Sequence, residues 1–272
     1  MYGAILGDII GVPYEFDSID YVDFPLFSID SNFSDDSVMT IAVFDALLNA
    51  GLDADEKTIK KNLVERFKVW GYRNPFAGYG GHFRKWLFSN ATEPYNSYGN
   101  GSAMRVSSVG WLYDTMERTR EVARWTAEVT HNHPEGIKGA EATAAAIFLA
   151  RNGKSKKEIK EYIEKEFSYN LDRSCDGIRP EYEFDTTCQG TVPEAIISFL
   201  DGSDYESTVR LAVSLGGDAD TLACIAGGIA EAFYTMPQEL IEKCRSYFPQ
   251  DMREVLDQFE DIKKSPVLRP GY

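Results

Sequence analysis

Residues 32–51 read N-F-S-D-D-S-V-M-T-I-A-V-F-D-A-L-L-N-A-G, a hydroxyl and two acids set ahead of an apolar run that a glycine closes. From residue 36 to residue 50, Val38, Ile41, Ala42, Asp45, Ala46 and Leu48 fall at helix spacings, and Gly51 stands where a helix stops. Ser34 makes a good N-cap, and Asp35 and Asp36 would lie at the positive end of the helix dipole. Cap signatures of this kind are common, so the stretch alone favours the cap, but the same acids and hydroxyls, Ser34, Asp35, Asp36 and Ser37, could also hold a cation. Nothing inside the stretch decides between cap and cation site.

The helical pattern continues outward. Amphipathic spacing predicts helices over 55–70, 118–129, 136–151, 155–166, 192–200, 205–214, 219–234, 237–246 and 251–259, with the third of these rich in alanine. Alternating, strand-like segments are scarce and short, so the expected fold is all-α. Gly, Asn and Asp collect in the intervening loops at 71–81, 94–102, 130–136, 170–190 and 215–221. Without a linker, a low-complexity tract or an internal repeat, residues 1–272 read as one domain.

Composition excludes several classes of function. The chain carries a formal charge of -15 and a sequence pI near 4.7, which opposes extended nucleic-acid binding and attachment to anionic membrane. Cys175, Cys188, Cys224 and Cys244 are scattered and form no disulfide framework or zinc pattern. The N-terminus lacks the basic region of a signal peptide, and no run is long enough to span a bilayer. A cytoplasmic monomer is the expectation.

A second acidic cluster changes the weight of the first. Gly216-Gly217-Asp218-Ala219-Asp220-Thr221 also precedes an apolar helix. A cap needs one acceptor, whereas the two clusters together offer four carboxylates and several hydroxyls. Hard cations such as Mg²⁺ take such oxygen donors. Four carboxylates brought together without one would repel, and some would have to protonate.

Three further stretches carry chemistry. G-D-I-I-G-V-P-Y-E-F at 7–16 reads either as a helix ending at Gly11 with Glu15 solvated, or as Glu15 at a pocket mouth as a general acid/base. S-Y-G-N-G-S-A-M-R at 97–105 describes a loop with exposed N–H groups ahead of a helix, suited to an anion, or a tight Asn-Gly turn. Tyr98 adds an aromatic face suited to a base. T-H-N-H-P at 130–134 reads as a polar turn before a helix.

In this order along the chain, G-A-I-L-G-D-I-I-G-V-P-Y-E-F, S-D-D-S, G-Y-G-G-H-F-R-K-W, S-Y-G-N-G-S-A-M-R, T-H-N-H-P and L-G-G-D-A-D-T-L-A-C-I-A-G-G-I-A resemble the ADP-ribosylglycohydrolase family. The resemblance implies a single compact orthogonal helical bundle with two divalent cations, Mg²⁺ or Mn²⁺, in a cleft. It implies metal ligands at Ser34, Asp35, Asp36, Asp218, Asp220 and Thr221, with Ser34 standing where the family has threonine. Glu15 and Asp36 would be catalytic, and Ser97, Tyr98, Gly99, Asn100, Gly101 and His131 would bind substrate. Asp8 is read as structural support.

The activity so implied is hydrolysis of the bond between ADP-ribose and an acceptor, on an ADP-ribosylated protein or a small molecule. The metals would activate water at the anomeric carbon of the distal ribose. Two alternatives stand beside it. One is a hydrolase of another ADP-ribose derivative, such as O-acetyl-ADP-ribose. The other is a non-catalytic ADP-ribose-binding relative.

Overall fold

Side-chain caps set most helix starts in the computed structural model, which describes residues 1–264; residues 265–272, the last of the expected domain, lie outside the description. The chain forms α1 (Tyr2–Gly11), a 3-10 turn (Val12–Tyr14), α2 (Asp35–Ala50), α3 (Glu56–Arg73), α4 (Gly81–Leu87), α5 (Gly101–Met104), α6 (Val109–Leu112) and α7 (Met116–Glu128). It continues with α8 (Pro134–Arg151), α9 (Lys156–Phe167), α10 (Cys175–Ile178), α11 (Cys188–Asp201), α12 (Tyr205–Ser214), α13 (Ala219–Phe233), α14 (Gln238–Arg245) and α15 (Gln250–Lys264). Among the described residues the extended pairing is a lone bridge between Gly99 and Thr187. The fold is all-α, as the periodicity predicts.

The opening stretch is a capped helix. The Ser34 hydroxyl accepts from the Asp36 N–H, Asp35 and Asp36 occupy the first turn, and Gly51 leaves the helix at a φ of 87° that a side chain would strain. The structure differs from the sequence reading where elements are short. Residues 81–87 form α4 although Gly80 offers no side-chain cap; its hold is the burial of Phe83, Trp86 and Leu87. Residues 170–190, read as a loop, contain the single turn of α10, capped by Ser174. Helix α11 begins at Cys188, ahead of the predicted residue 192, because Thr187 caps it and Pro193 sits inside it.

Two helices lie at the centre. Every residue of α1 is buried, as is α13 from Ala219 to Glu231, and helices apolar on all sides belong inside a core. They run antiparallel at very short range. A Cβ built on Gly3 would land on the Gly227 carbonyl, one on Gly7 on the Ala223 carbonyl, and one on Gly11 on the Asp220 backbone. Glycine every fourth residue thus places one bare stripe of α1 against α13. Their outer ends are tied by Glu231, whose carboxylate accepts from the Met1 amine, from Gly3 N at 2.7 Å and from Lys263 Nζ at 3.1 Å.

This crossing sets the positions of the chemical residues. Asp8 comes from α1, Glu15 from just beyond it, and Asp220 and Thr221 from the start of α13. Around the pair, α8 supplies an alanine-rich buried face that includes Ala140, Ala142, Ala144, Ala145 and Ala146. No helix among the described residues is long and apolar enough to cross a membrane, and all four cysteines are buried and free.

Candidate active site

Asp8 is the anchor between α1 and α2. Its carboxylate is fully buried and accepts from Ser34 N at 3.0 Å, Ser34 Oγ at 2.6 Å and Ser37 N at 3.1 Å, and also from the Ser37 hydroxyl. These bonds secure the N-terminus of α2 and therefore Asp35 and Asp36. The supporting role read for Asp8 matches this geometry. The Ser34 hydroxyl gives its proton to Asp8 and one lone pair to the Asp36 N–H at 3.2 Å, so one lone pair remains for a cation.

The two acidic clusters meet. Thr221 Oγ1 donates to Asp36 Oδ2 at 3.3 Å across 185 positions of sequence. Ligand oxygens of Glu15, Asp218 and Asp220 lie within 4.8 Å of one another. Positive φ angles at Gly216 (77°) and Gly217 (64°) turn the chain into α13 and present Asp218, a conformation glycine adopts without strain. Asp218 is then gripped by Asn100, whose Nδ2 donates to it at 2.6 Å and to Thr191 Oγ1 at 3.0 Å. Asp220 Oδ1 accepts from Thr221 N at 2.8 Å.

The electrostatics of this cluster are those of crowded acids. Burial, then the charges of Asp8, Asp35 and Asp218, push the Asp36 carboxyl well above the usual range. Burial followed by Asp36 and Asp218 does the same to Asp220, and Asp35 and Asp218 also shift upward. Glu15 rises to about 7 through burial and the charges of Asp218 and Asp8. Asp36 Oδ1 is buried with no hydrogen-bond partner. An orphaned carboxylate oxygen, crowded acids and an all-oxygen donor set fit a hard divalent cation.

The acids line one wall of a cleft of about 280 Å³. Ser97, Gly99, Asn100, Gly101 and His131 line the same cleft, with Asn100 in contact with Asp218. Tyr98 lies apart from the cleft lining: its ring is half exposed and packs edge-on against His133 at 5.2 Å. Two N–H groups of the loop read as an anion cradle are already engaged, Asn100 N by the Thr186 carbonyl at 2.8 Å and Gly99 N by Ser97 Oγ at 3.1 Å. The segment at 130–134 is the expected polar turn, with His133 capping α8.

Other residues at or near the site carry no role in the sequence reading. Tyr95, His82 and Phe83 complete the wall beside His131. Phe16 and Phe184, both exposed, stack at 6.0 Å, next in sequence to Glu15 and Asp185 respectively. Arg105 lines the cleft although it is only 1% exposed. It closes the S-Y-G-N-G-S-A-M-R stretch, where a lone arginine before an apolar run gives no sign that it will be buried.

The sequence profile of the ADP-ribosylglycohydrolase family matches residues 1–267. The chain belongs to the ADP-ribosylglycohydrolase family. It is 27% identical to the ADP-ribosylhydrolase ARH3 of Bos taurus, over 92% of this chain and 88% of the relative. The ADP-ribosylarginine hydrolase Tri1 of Pseudomonas putida is 24% identical over 64% of this chain and 50% of its own length. A solved structure described as an ADP-ribosylglycohydrolase-related protein complex shares the fold, with a TM-score of 0.65, 24% identity and coverage of 96% of this chain and 93% of that one. Membership supports hydrolysis of ADP-ribosyl compounds as the class of activity.

Proposed function

We propose that the chain is a divalent-cation-dependent hydrolase that releases ADP-ribose from an acceptor, with Mg²⁺ or Mn²⁺ bound between α2 and α13. The observation that carries the reading is the contact of Thr221 with Asp36, which joins two acidic clusters into one oxygen-rich centre. Asp35, Asp36, Asp218, Asp220, Thr221 and the free lone pair of Ser34 would hold a pair of cations. Bound there, the cations supply Lewis-acid stabilisation to the distal ribose hydroxyls and to a nucleophilic water.

The protein's own residues account for the remaining work. Asp8 and Asn100 hold the ligand carboxylates in place before substrate arrives, so little reorganisation accompanies the reaction. Ser97, Gly99, Asn100, Gly101 and His131 line the cleft together with the acids and would receive the diphosphate and adenosine portion. Glu15 is held near pH 7 and would exchange a proton with the attacking water or the leaving atom. In the net reaction the anomeric carbon loses its bond to the acceptor and gains a water oxygen. The water's proton goes to the acceptor, through a transition state of oxocarbenium character.

Replacement of Asp36 or Asp220 by Asn, assayed with Mg²⁺ for release of ADP-ribose, tests the proposal. Loss on the order of 100-fold or more is expected in both variants. Wild-type rates in both would overturn it. A panel of Arg-linked, Ser-linked and base-linked ADP-ribose, together with O-acetyl-ADP-ribose, identifies the acceptor.

A further inference from the structure

At the cleft, the buried guanidinium of Arg105 rests on the rings of Phe67 and Phe83, 4.4 and 5.8 Å from their centroids. Its Nη2 donates to the Thr126 carbonyl at 2.7 Å and to Thr130 Oγ1 at 2.8 Å. Thr130 Oγ1 in turn lies 2.7 Å from His131 Nδ1. A guanidinium only donates, so Thr130 accepts from Arg105 and keeps its own proton to give. Among the described residues, His131 Nδ1 is the one acceptor within reach of that proton.

We infer that Arg105 and Thr130 form a relay that fixes His131 as its neutral Nε2–H tautomer, a hydrogen-bond donor facing the ADP-ribosyl group. Its direction follows from polar satisfaction. Thr130 has a second lone pair for an Nδ1–H, but its own buried proton would then have no acceptor. Thr130 therefore donates to Nδ1, and the ring proton resides on Nε2. Nε2 has no hydrogen-bond partner among the described residues, and the ring lines the cleft beside Gly99 and Gly101. A Cβ on Gly101 would stand 3.1 Å from Nε2, so the glycine leaves room for a ligand oxygen to approach. Burial and the nearby Arg105 charge both oppose ring protonation. Arg105 and Thr130 are positioning residues, since they act through His131.

The role given to Nε2 rests on the proposed ADP-ribosyl cleft, whereas the tautomer itself is read independently of turnover. The test records long-range ¹H–¹⁵N ring correlations for His131, with His82 and His133 identified by Gln replacement. Wild type is expected to show pyridine-type Nδ1 and pyrrole-type Nε2, unchanged from about pH 8 to about pH 5.5. Thr130→Val should mix the tautomers and raise KM about tenfold while kcat stays within about twofold, the signature of lost ground-state binding. Thr130→Ser, which keeps the hydroxyl, should restore both. A wild-type ring carrying its proton on Nδ1 or on both nitrogens at neutral pH would overturn the relay. So would a Thr130→Val spectrum identical to wild type. The expected tautomer in a protein that hydrolyses no ADP-ribosyl substrate would support the relay and count against the proposed function.

Discussion

Charge crowding at single carboxylates gives cation binding a pH dependence of definite sign. Asp35, Asp36, Asp218 and Asp220 all titrate above their ordinary range in the folded protein. Divalent ions require the ionised forms, so binding must displace protons and must weaken as pH falls. Titration calorimetry in two buffers of different ionisation heat should show proton release on Mg²⁺ binding, and more of it at about pH 6 than at about pH 8. Glu231 has the opposite sign. Burial pushes its carboxyl up, but the Met1 amine, Lys263 and the Gly3 N–H outweigh that and hold it down at about 2. Its contribution is therefore complete above the unfolded value and is lost as pH falls toward the folded one. Glu231→Gln should cost about 3–5 kcal/mol at neutral pH in denaturant unfolding, and the difference from wild type should shrink toward about pH 2.

The α1–α13 crossing carries the site at the scale of elements. Gly7→Ala drives a methyl into the Ala223 carbonyl, and overpacking of this kind costs about 1–3 kcal/mol. Because Asp8 follows Gly7, the variant should also weaken Mg²⁺ binding; unfolding and calorimetry together read both losses. Gly51→Ala is the matching control. Its Cβ meets open space but its φ is 87°, so stability should fall by about 1 kcal/mol with cation affinity unchanged. The long amphipathic helices were legible in the sequence because each repeats its apolar spacing over several turns. Helices α4, α5, α6 and α10 were not, since one or two turns cannot show a period and tertiary burial holds them. Pro193 lies within α11, whereas proline normally opens a helix.

For the whole molecule, the fold brings residues near 8–15, 34–37, 95–105, 131 and 218–221 to one cleft. The acids were legible because two loop-to-helix clusters carried more carboxylates than caps require, and Glu15 because it stood in a familiar motif. Long-range partners were not. Nothing local to Asn100 says that its amide will grip Asp218, and nothing local to Arg105 says that it will lie buried against Thr130. Glycine spacing at positions 3, 7 and 11 was the unread signal of the close helix crossing. Anomalous diffraction from crystals grown with Mn²⁺ measures the joining of the two clusters most directly. Two manganese peaks between α2 and α13, ligated by Asp35 and Asp36 on one side and Asp218, Asp220 and Thr221 on the other, are the expected result. Saturating Mn²⁺ with no peak there, or with peaks only elsewhere, would contradict the assignment.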